Sequence, residues 1–534
     1  VTPIPDFDQC YRAVASRDGR FDGWFFTAVT TTGIYCRPSC PALTPKASNV
    51  RFYPSVAAAQ QGGFRACMRC RPDATPGSPD WDIRADVVGR AMRMISDGVV
   101  DRDGVAGLAS RLGYTERHLN RMLIAEVGAS PIALARAQRA QTARILIETT
   151  DLGFAEIAFA AGFGSVRQFN DTVRTVYAAS PSRLRERSRR DPPPEQATGP
   201  VPVSLRLAYR PPLAVADLLA FLAARALPGV EAVSDGTYHR GMRLPHGTGT
   251  IALAPRDGYI AATLHLADLR DLAPAVNRCR RLLDLDADPV AVDDTLAADR
   301  ALAADIEATP GVRVPRSVDG FEMACRAVVG QQVSVASARG VLARMAATLG
   351  EPVLSPDREM PPAPKRESEP APNDVAPGPA LERLFPTPEA VSEAPDGALP
   401  MPAARRRTLR ALAEAVTSGD IVLDPSADRD ITRRALLTLP GIGPWTVAYI
   451  AMRGFGDPDA FLATDLAVRR GAARLGLPDT AAELETRSRG WGPWRSYAVV
   501  RLWRWASAAR PAATHTAPET TAATSGTTEP SSGG

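Results

Sequence analysis

The chain has 534 residues, a formal net charge of +4 at pH 7, 45% hydrophobic and 23% charged residues. That length predicts three or four domains with sizeable cores, and the charge is too small to identify a polyanion partner by itself. No apolar run approaches the roughly 20 residues that span a bilayer, and the first residues lack a basic-then-apolar leader, so a membrane or secreted protein is set aside and a cytoplasmic one expected.

Four of the seven cysteines come first in chain order, as Cys36-x3-Cys40-x26-Cys67-x2-Cys70. Two close-spaced thiolate pairs on separate loops can converge on one tetrahedral Zn2+. The spacing alone fits an inert zinc knot as well as a reactive centre. The surrounding residues, Thr31-Thr32-Gly33-Ile34-Tyr35-Cys36-Arg37-Pro38-Ser39-Cys40 and Gly63-Phe64-Arg65-Ala66-Cys67-Met68-Arg69-Cys70-Arg71-Pro72, closely resemble the methyl-accepting N-terminal domain of the Ada DNA-repair proteins. The resemblance implies one zinc ion held by Cys36, Cys40, Cys67 and Cys70, both structural and nucleophile-activating, with Cys36 also the methyl acceptor. Cys10, Cys279 and Cys325 are scattered and read as plain thiols. Pro and Gly between Pro72 and Pro79 end this region, placed at 1–78.

A helical region follows at 80–190, carrying 17 arginines against 11 acidic residues from Arg84 to Arg190. It contains an internal repeat: Gly128-Ala129-Ser130-Pro131 returns fifty residues later as Ala178-Ala179-Ser180-Pro181. Each copy has a short helix, a glycine turn and a hydroxyl cap, as Val105–Leu112, Gly113, Thr115 and then Ala155–Ala161, Gly162, Ser165. Two helix-turn-helix units are predicted. The second, Ile157 to Asn170, resembles the signature of AraC-type DNA-binding domains, which implies recognition helices in successive major-groove segments. Glu116, Arg117, His118, Asn120 and Arg121, then Arg167, Gln168 and Asn170, are the exposed candidates for DNA contact. Leu119, Phe163 and Phe169 are assigned to the core.

A proline-rich linker is placed at 191–202. Val203–Tyr209, Gly236–Leu244, Thr248–Pro255 and Tyr259–Leu266 alternate as short strands, giving an α+β region at 203–310. Residues 311–510 read as helical, interrupted at 352–379, where nine prolines in 28 positions predict a disordered insertion. A low-complexity tail, 511–534, is predicted to be disordered as well.

Within the helical region, Leu439-Pro440-Gly441-Ile442-Gly443-Pro444-Trp445 has the form of a helix-hairpin-helix, whose backbone amides, freed by Gly441 and Gly443, face a DNA phosphate. Asp465 follows Trp445 by twenty residues, at the end of Phe461-Leu462-Ala463-Thr464. With Gly330-Gln331-Gln332-Val333-Ser334 and Trp494-Arg495-Ser496-Tyr497-Ala498, this closely resembles AlkA-type 3-methyladenine DNA glycosylases of the helix-hairpin-helix superfamily. The resemblance covers about residues 203–508, the insertion excepted. It implies that Asp465 is the catalytic carboxylate, that Trp445, Tyr449 and Trp503 line the base pocket, and that Gln332 stands where the family has a leucine wedge. Trp491 and Trp494 are assigned to the core. The only lysines in the chain are Lys46 and Lys365, so a Schiff-base mechanism is not expected. No cysteine follows Cys325, which excludes a four-cysteine iron–sulfur cluster beyond Asp465. No Pro-Cys-His-Arg string occurs, so repair of O6-methylguanine is not expected either.

The fold expected is multidomain and predominantly α with α+β parts: a four-cysteine zinc domain, a double helix-turn-helix domain, an α+β domain and a helix-hairpin-helix domain. The function expected joins irreversible methyl transfer from DNA methylphosphotriesters to Cys36, activating transcription, with hydrolytic excision of alkylated bases. Two alternatives stay open: a regulator with an inactive glycosylase-like half, and a glycosylase with a purely structural zinc domain. The partners expected are alkylated and promoter double-stranded DNA, and RNA polymerase for an activator. The chain is expected to act as a nucleoid-associated monomer.

Overall fold

The computed structural model describes residues 5–74, 86–188, 202–353, 381–424 and 426–507. The linker at 191–201, the insertion from 354 onward and the tail at 511–534 lie outside them.

Helix Phe7–Ala15, capped by the Asp6 carboxylate accepting from Gln9 N at 2.7 Å, leads into a four-stranded sheet of order β3-β1-β2-β4. The strands are β1 Phe26–Val29, β2 Ile34–Cys36, β3 Val50–Tyr53 and β4 Arg65–Ala66. Gly33, at φ +65, makes the tight return from β1 to β2 that a Cβ would strain. Phe26 and Tyr35 meet edge to face beneath the sheet at 6.2 Å.

Both helix-turn-helix units form where the repeat placed them. In the first, the stretch Val99–Leu112 is broken by Gly104 at φ +70, so the helix proper begins at the predicted Val105. Gly113 closes it in the left-handed region, and the Thr115 hydroxyl caps helix Glu116–Val127 by accepting from His118 N. In the second, Phe154–Ala160 precedes helix Val166–Tyr177, capped by Ser165. Leu119 and Phe169 are fully buried at equivalent positions. Long helix Pro131–Thr149 joins the units. The first region is bonded to this one at two places: Arg144 of the long helix donates to both Asp73 oxygens (3.0 and 3.1 Å), and Ser55 Oγ donates to O of Val127, the last residue of helix Glu116–Val127 (2.9 Å).

The α+β region is an antiparallel sheet of order β5-β9-β8-β7-β6: Val203–Ala208, Tyr259–Leu266, Gly247–Arg256, Thr237–Leu244 and Glu231–Ser234. Four strands match the sequence reading. The fifth, β6, was not expected, because it opens on a glutamate; Glu231 is nevertheless buried, accepting from Tyr238 and pairing with Arg326. Helices Pro289–Ala297 and Arg300–Ala308 share a core with the C-terminal helices, to which Leu227 and Val230 of this region also contribute. Arg501, fully buried, holds the two helices there by donating to Asp293 (2.6 Å) and Asp305 (2.8 Å). Pro352 and Val353, read as the start of the insertion, are paired with the chain beyond it: Pro352, exposed, bridges to Arg383, and the buried Val353 donates its N–H to Glu382 O.

Two candidate reaction centres

The first centre is built by strand pairing. Cys36 ends β2, opposite Thr27 of β1, and Cys40 follows on a turn closed by Cys40 N donating to Arg37 O. Strand β4 runs parallel to β2, and Cys67 N donates to Tyr35 O at 3.0 Å, which carries the second cysteine pair against the first. All four Sγ atoms lie within 4.8 Å of one another. A tetrahedron with metal–sulfur bonds of about 2.3 Å has edges of about 3.8 Å, so the donor set fits zinc. Left to share protons among themselves, the sulfurs titrate apart. Hydrogen bonds with Cys40, then Cys67 and Cys70, hold the Cys36 thiol well above its ordinary value, while the bond with Cys36 pulls Cys40 down to about 7. A dication removes that competition by making all four thiolates. Cys40, Cys67 and Cys70 are buried, and Cys36 alone is partly open to solvent. Cys10, Cys279 and Cys325 are buried as well; burial pushes Cys10 and Cys279 up to about 12, away from thiolate chemistry.

Between the centres lie the helix-turn-helix candidates. Glu116, Arg117, Arg121 and Arg167 are exposed, and His118 and Asn120 are half-buried. His118 stacks on Tyr114 and meets Arg121 at 3.0 Å. Gln168 and Asn170 are tied to their own turn: Gln168 Oε1 accepts from Gly164 N and Asn170 Nδ2 donates to Val166 O.

The second centre surrounds Asp465. This residue caps helix Leu466–Arg474, its Oδ1 accepting from Val468 N at 2.9 Å. Two indoles complete its setting: Trp445 Nε1 donates to Oδ2 (3.0 Å) and Trp503 Nε1 to Oδ1 (3.1 Å). The carboxylate is thus fixed in orientation by three donors and left half-exposed. Trp445 is the second residue of the helix after the hairpin, Pro444–Arg453, and stacks on Tyr449 at 5.4 Å; Tyr449 lies 5.9 Å from Trp503. Trp491 and Trp494 are in the core, as expected. Gly441 holds φ +80 at the hairpin, and Gly443 caps the helix that follows. Gln332 is exposed at φ +57 on the turn after helix Gly320–Val329.

Sequence reasoning missed three members of this pocket. Phe221, on helix Val215–Arg225 of the α+β region, stacks on Trp503 at 6.0 Å and 20°. Arg225 lies 3.7 Å above the Phe221 ring, and Arg453 donates to the Tyr449 hydroxyl at 2.8 Å. Burial pushes the Tyr449 hydroxyl up, but the charges of Arg453 and Arg225 outweigh it and hold it below the ordinary phenol value. Burial also lowers Arg225 to about 10, which leaves it charged at neutral pH. Phe221 is 244 positions from Asp465, and its apolar helix reads as ordinary core, so no local signal could have placed it.

Three family models match the chain: the metal binding domain of Ada at residues 9–73, a helix-turn-helix domain at 108–187 and the AlkA N-terminal domain at 204–319. A probable bifunctional transcriptional activator/DNA repair enzyme AlkA of Mycobacterium tuberculosis is 52% identical over 499 residues, 93% of this chain and 96% of the relative. DNA-3-methyladenine glycosylase 2 of Escherichia coli is 32% identical over 304 residues, 56% of this chain and 95% of its own. The bifunctional transcriptional activator/DNA repair enzyme Ada of Escherichia coli is 36% identical over 137 residues, 26% of this chain and 37% of its own. With 93% of its length matched at 52% identity, the chain belongs to the family of bifunctional transcriptional activator and DNA repair proteins that joins an Ada-type metal-binding domain and a helix-turn-helix domain to an AlkA-type region.

Proposed function

We propose that this protein is a DNA alkylation-repair enzyme and regulator with two chemistries on one chain. What carries the reading is the placing of one accessible reactive anion in each half: the Cys36 sulfur, the least covered of four, and the Asp465 carboxylate, oriented by two indoles at the mouth of an aromatic pocket.

In the first half, Cys36, Cys40, Cys67 and Cys70 hold zinc, whose charge keeps the sulfurs deprotonated at neutral pH. The Cys36 sulfur attacks the methyl carbon of a methylphosphotriester. The S–C bond forms as the C–O bond breaks, and its electron pair leaves on the phosphate oxygen, restoring a phosphodiester anion. The four-sulfur set loses one negative charge beside DNA. Because phosphate contacts respond directly to nearby charge, that change raises affinity for a promoter read by Arg117, His118, Arg121, Arg167, Gln168 and Asn170. Nothing in this chemistry returns the thioether to a thiolate, so each chain accepts one methyl. The output is transcriptional activation through RNA polymerase, by a monomer in the cytoplasm at the nucleoid.

In the second half, the hairpin amides at Gly441 and Gly443 grip a phosphate, Gln332 enters the gap left by the extruded nucleotide, and the base stacks among Trp445, Tyr449, Trp503 and Phe221. Alkylation at N3 or N7 makes the base cationic, so electron-rich rings hold it and it departs without a strong general acid. As the N-glycosidic bond breaks, its electron pair neutralises the base, and the fixed Asp465 carboxylate stabilises the positive sugar. Water adds to the anomeric carbon and releases its proton to solvent. With Trp445 in place of a lysine, the product is an intact strand with an abasic site. Incubation with an alkylated duplex tests this: free base should accumulate with nicking only after alkali. Cleavage without alkali would contradict the monofunctional mechanism, and no released base would leave the inactive-half alternative standing.

A further inference from the structure

The turn that carries Gln332 is fastened to the phosphate-gripping hairpin by bonds from distant parts of the chain. Gln331 Nε2 donates to Gly441 O at 3.0 Å and to Thr446 Oγ1 at 2.8 Å. Arg405 Nη2 donates to Gln331 O at 2.7 Å. Arg405 lies on helix Ala403–Thr417, and the same helix carries Thr408, whose Oγ1 would stand 2.2 Å from a Cβ added at Gly441. Turn, hairpin and helix therefore close a triangle, with Gln331 at one corner and Gly441 at another. Gln332 sits one residue along, exposed and at φ +57. A non-glycine residue keeps such a conformation where its surroundings over-determine it, and the bonds to Gln331 do so here.

We propose that Gln331 and Arg405 are positioning residues that clamp the Gln332 turn to the Leu439–Gly443 hairpin, so that the group entering the base stack and the amides gripping the phosphate move as one rigid jaw. The inference rests on the glycosylase reading and adds a means of base extrusion to it. A rigid jaw matters most when the base must be torn from a stable pair, because a mispaired base leaves the stack at lower cost. Loosening the clamp therefore penalises matched duplex more than mismatched duplex, which a general loss of stability does not do.

The test uses the full chain and two duplexes that differ only in whether 7-methylguanine faces cytosine or thymine, with single-turnover base release as the readout. Gln331→Met keeps side-chain length but removes both donated bonds. It should slow release from the matched duplex about tenfold more than from the mismatched one, roughly the worth of one or two neutral hydrogen bonds. Arg405→Ala, at a half-buried helix position, should show the same bias and carries the test if Gln331→Met fails to fold. Equal slowing on both duplexes, or wild-type rates on both, overturns the clamp while leaving the glycosylase reading intact. A wild-type protein that releases base from neither duplex overturns both.

Discussion

In the proposed function the four-cysteine cluster and the Asp465 pocket each present one anionic group to DNA, yet they are built to do so by opposite means. Cys36 belongs to a set of four sulfurs within 4.8 Å, where charge is crowded and a metal is needed to hold it. Asp465 is surrounded by N–H donors, Trp445, Trp503 and the Val468 amide, which fix its carboxylate in place without a metal. The difference matches the chemistry proposed for each. A crowded thiolate gains by giving up its charge to a bond with carbon, and is consumed. A carboxylate satisfied by fixed donors gains little by bonding, so it can stabilise a cation and be ready for the next.

The largest test of this contrast is metal removal. Structural zinc is worth about 10–16 kcal/mol to small metal-dependent folds, so chelation should abolish methyl uptake and disorder the region around β1–β4. Base release should persist, since Asp465 and its donors need no metal; an equal loss of both activities would break the comparison. Next, Asp465→Asn should lower single-turnover base release by about 100- to 1000-fold, the scale of losing a preorganised electrostatic group, while the Cys36 peptide still gains its methyl. Smaller still, Trp503→Phe keeps a stacking ring but removes one donor to the carboxylate. A hydrogen bond to a charged group is worth about 1.5–3 kcal/mol, so the base-release rate should fall about 10- to 100-fold with little change in KM. Phe221→Ala should do the reverse, raising KM several-fold through about 0.5–1.5 kcal/mol of lost ring contact, with base release at saturation largely kept.

The two centres were not equally legible. The zinc cluster could be read from spacing because its ligands come from two short strings, and β2 and β4 only had to bring the strings together. The repeat located both helix-turn-helix units, but not the left-handed conformation of the residue closing each second helix. There Gly128 adopts φ +72, and its counterpart Ala178 takes φ +50 against its own preference. The pocket around Asp465 was half legible. Asp465, Trp445, Tyr449 and Trp503 lie near recognisable strings, but Phe221, Arg225 and the Gln331 bonds come from contacts between regions far apart in sequence. Strand β6 was missed for a related reason: Glu231 looks like a surface residue until Arg326 and Arg240 arrive from elsewhere in the fold.

The most direct test of the central claim follows both chemistries in one tube. Purified protein is incubated with methylated duplex DNA, with the mass of the Cys36 peptide and the amount of free alkylated base measured over time. The account predicts a gain of one methyl on that peptide that stops at one per chain, while released base continues to rise well past one per chain. Base release that halts at one equivalent, or methyl uptake that continues on a Cys36→Ala chain still loaded with zinc, would contradict it.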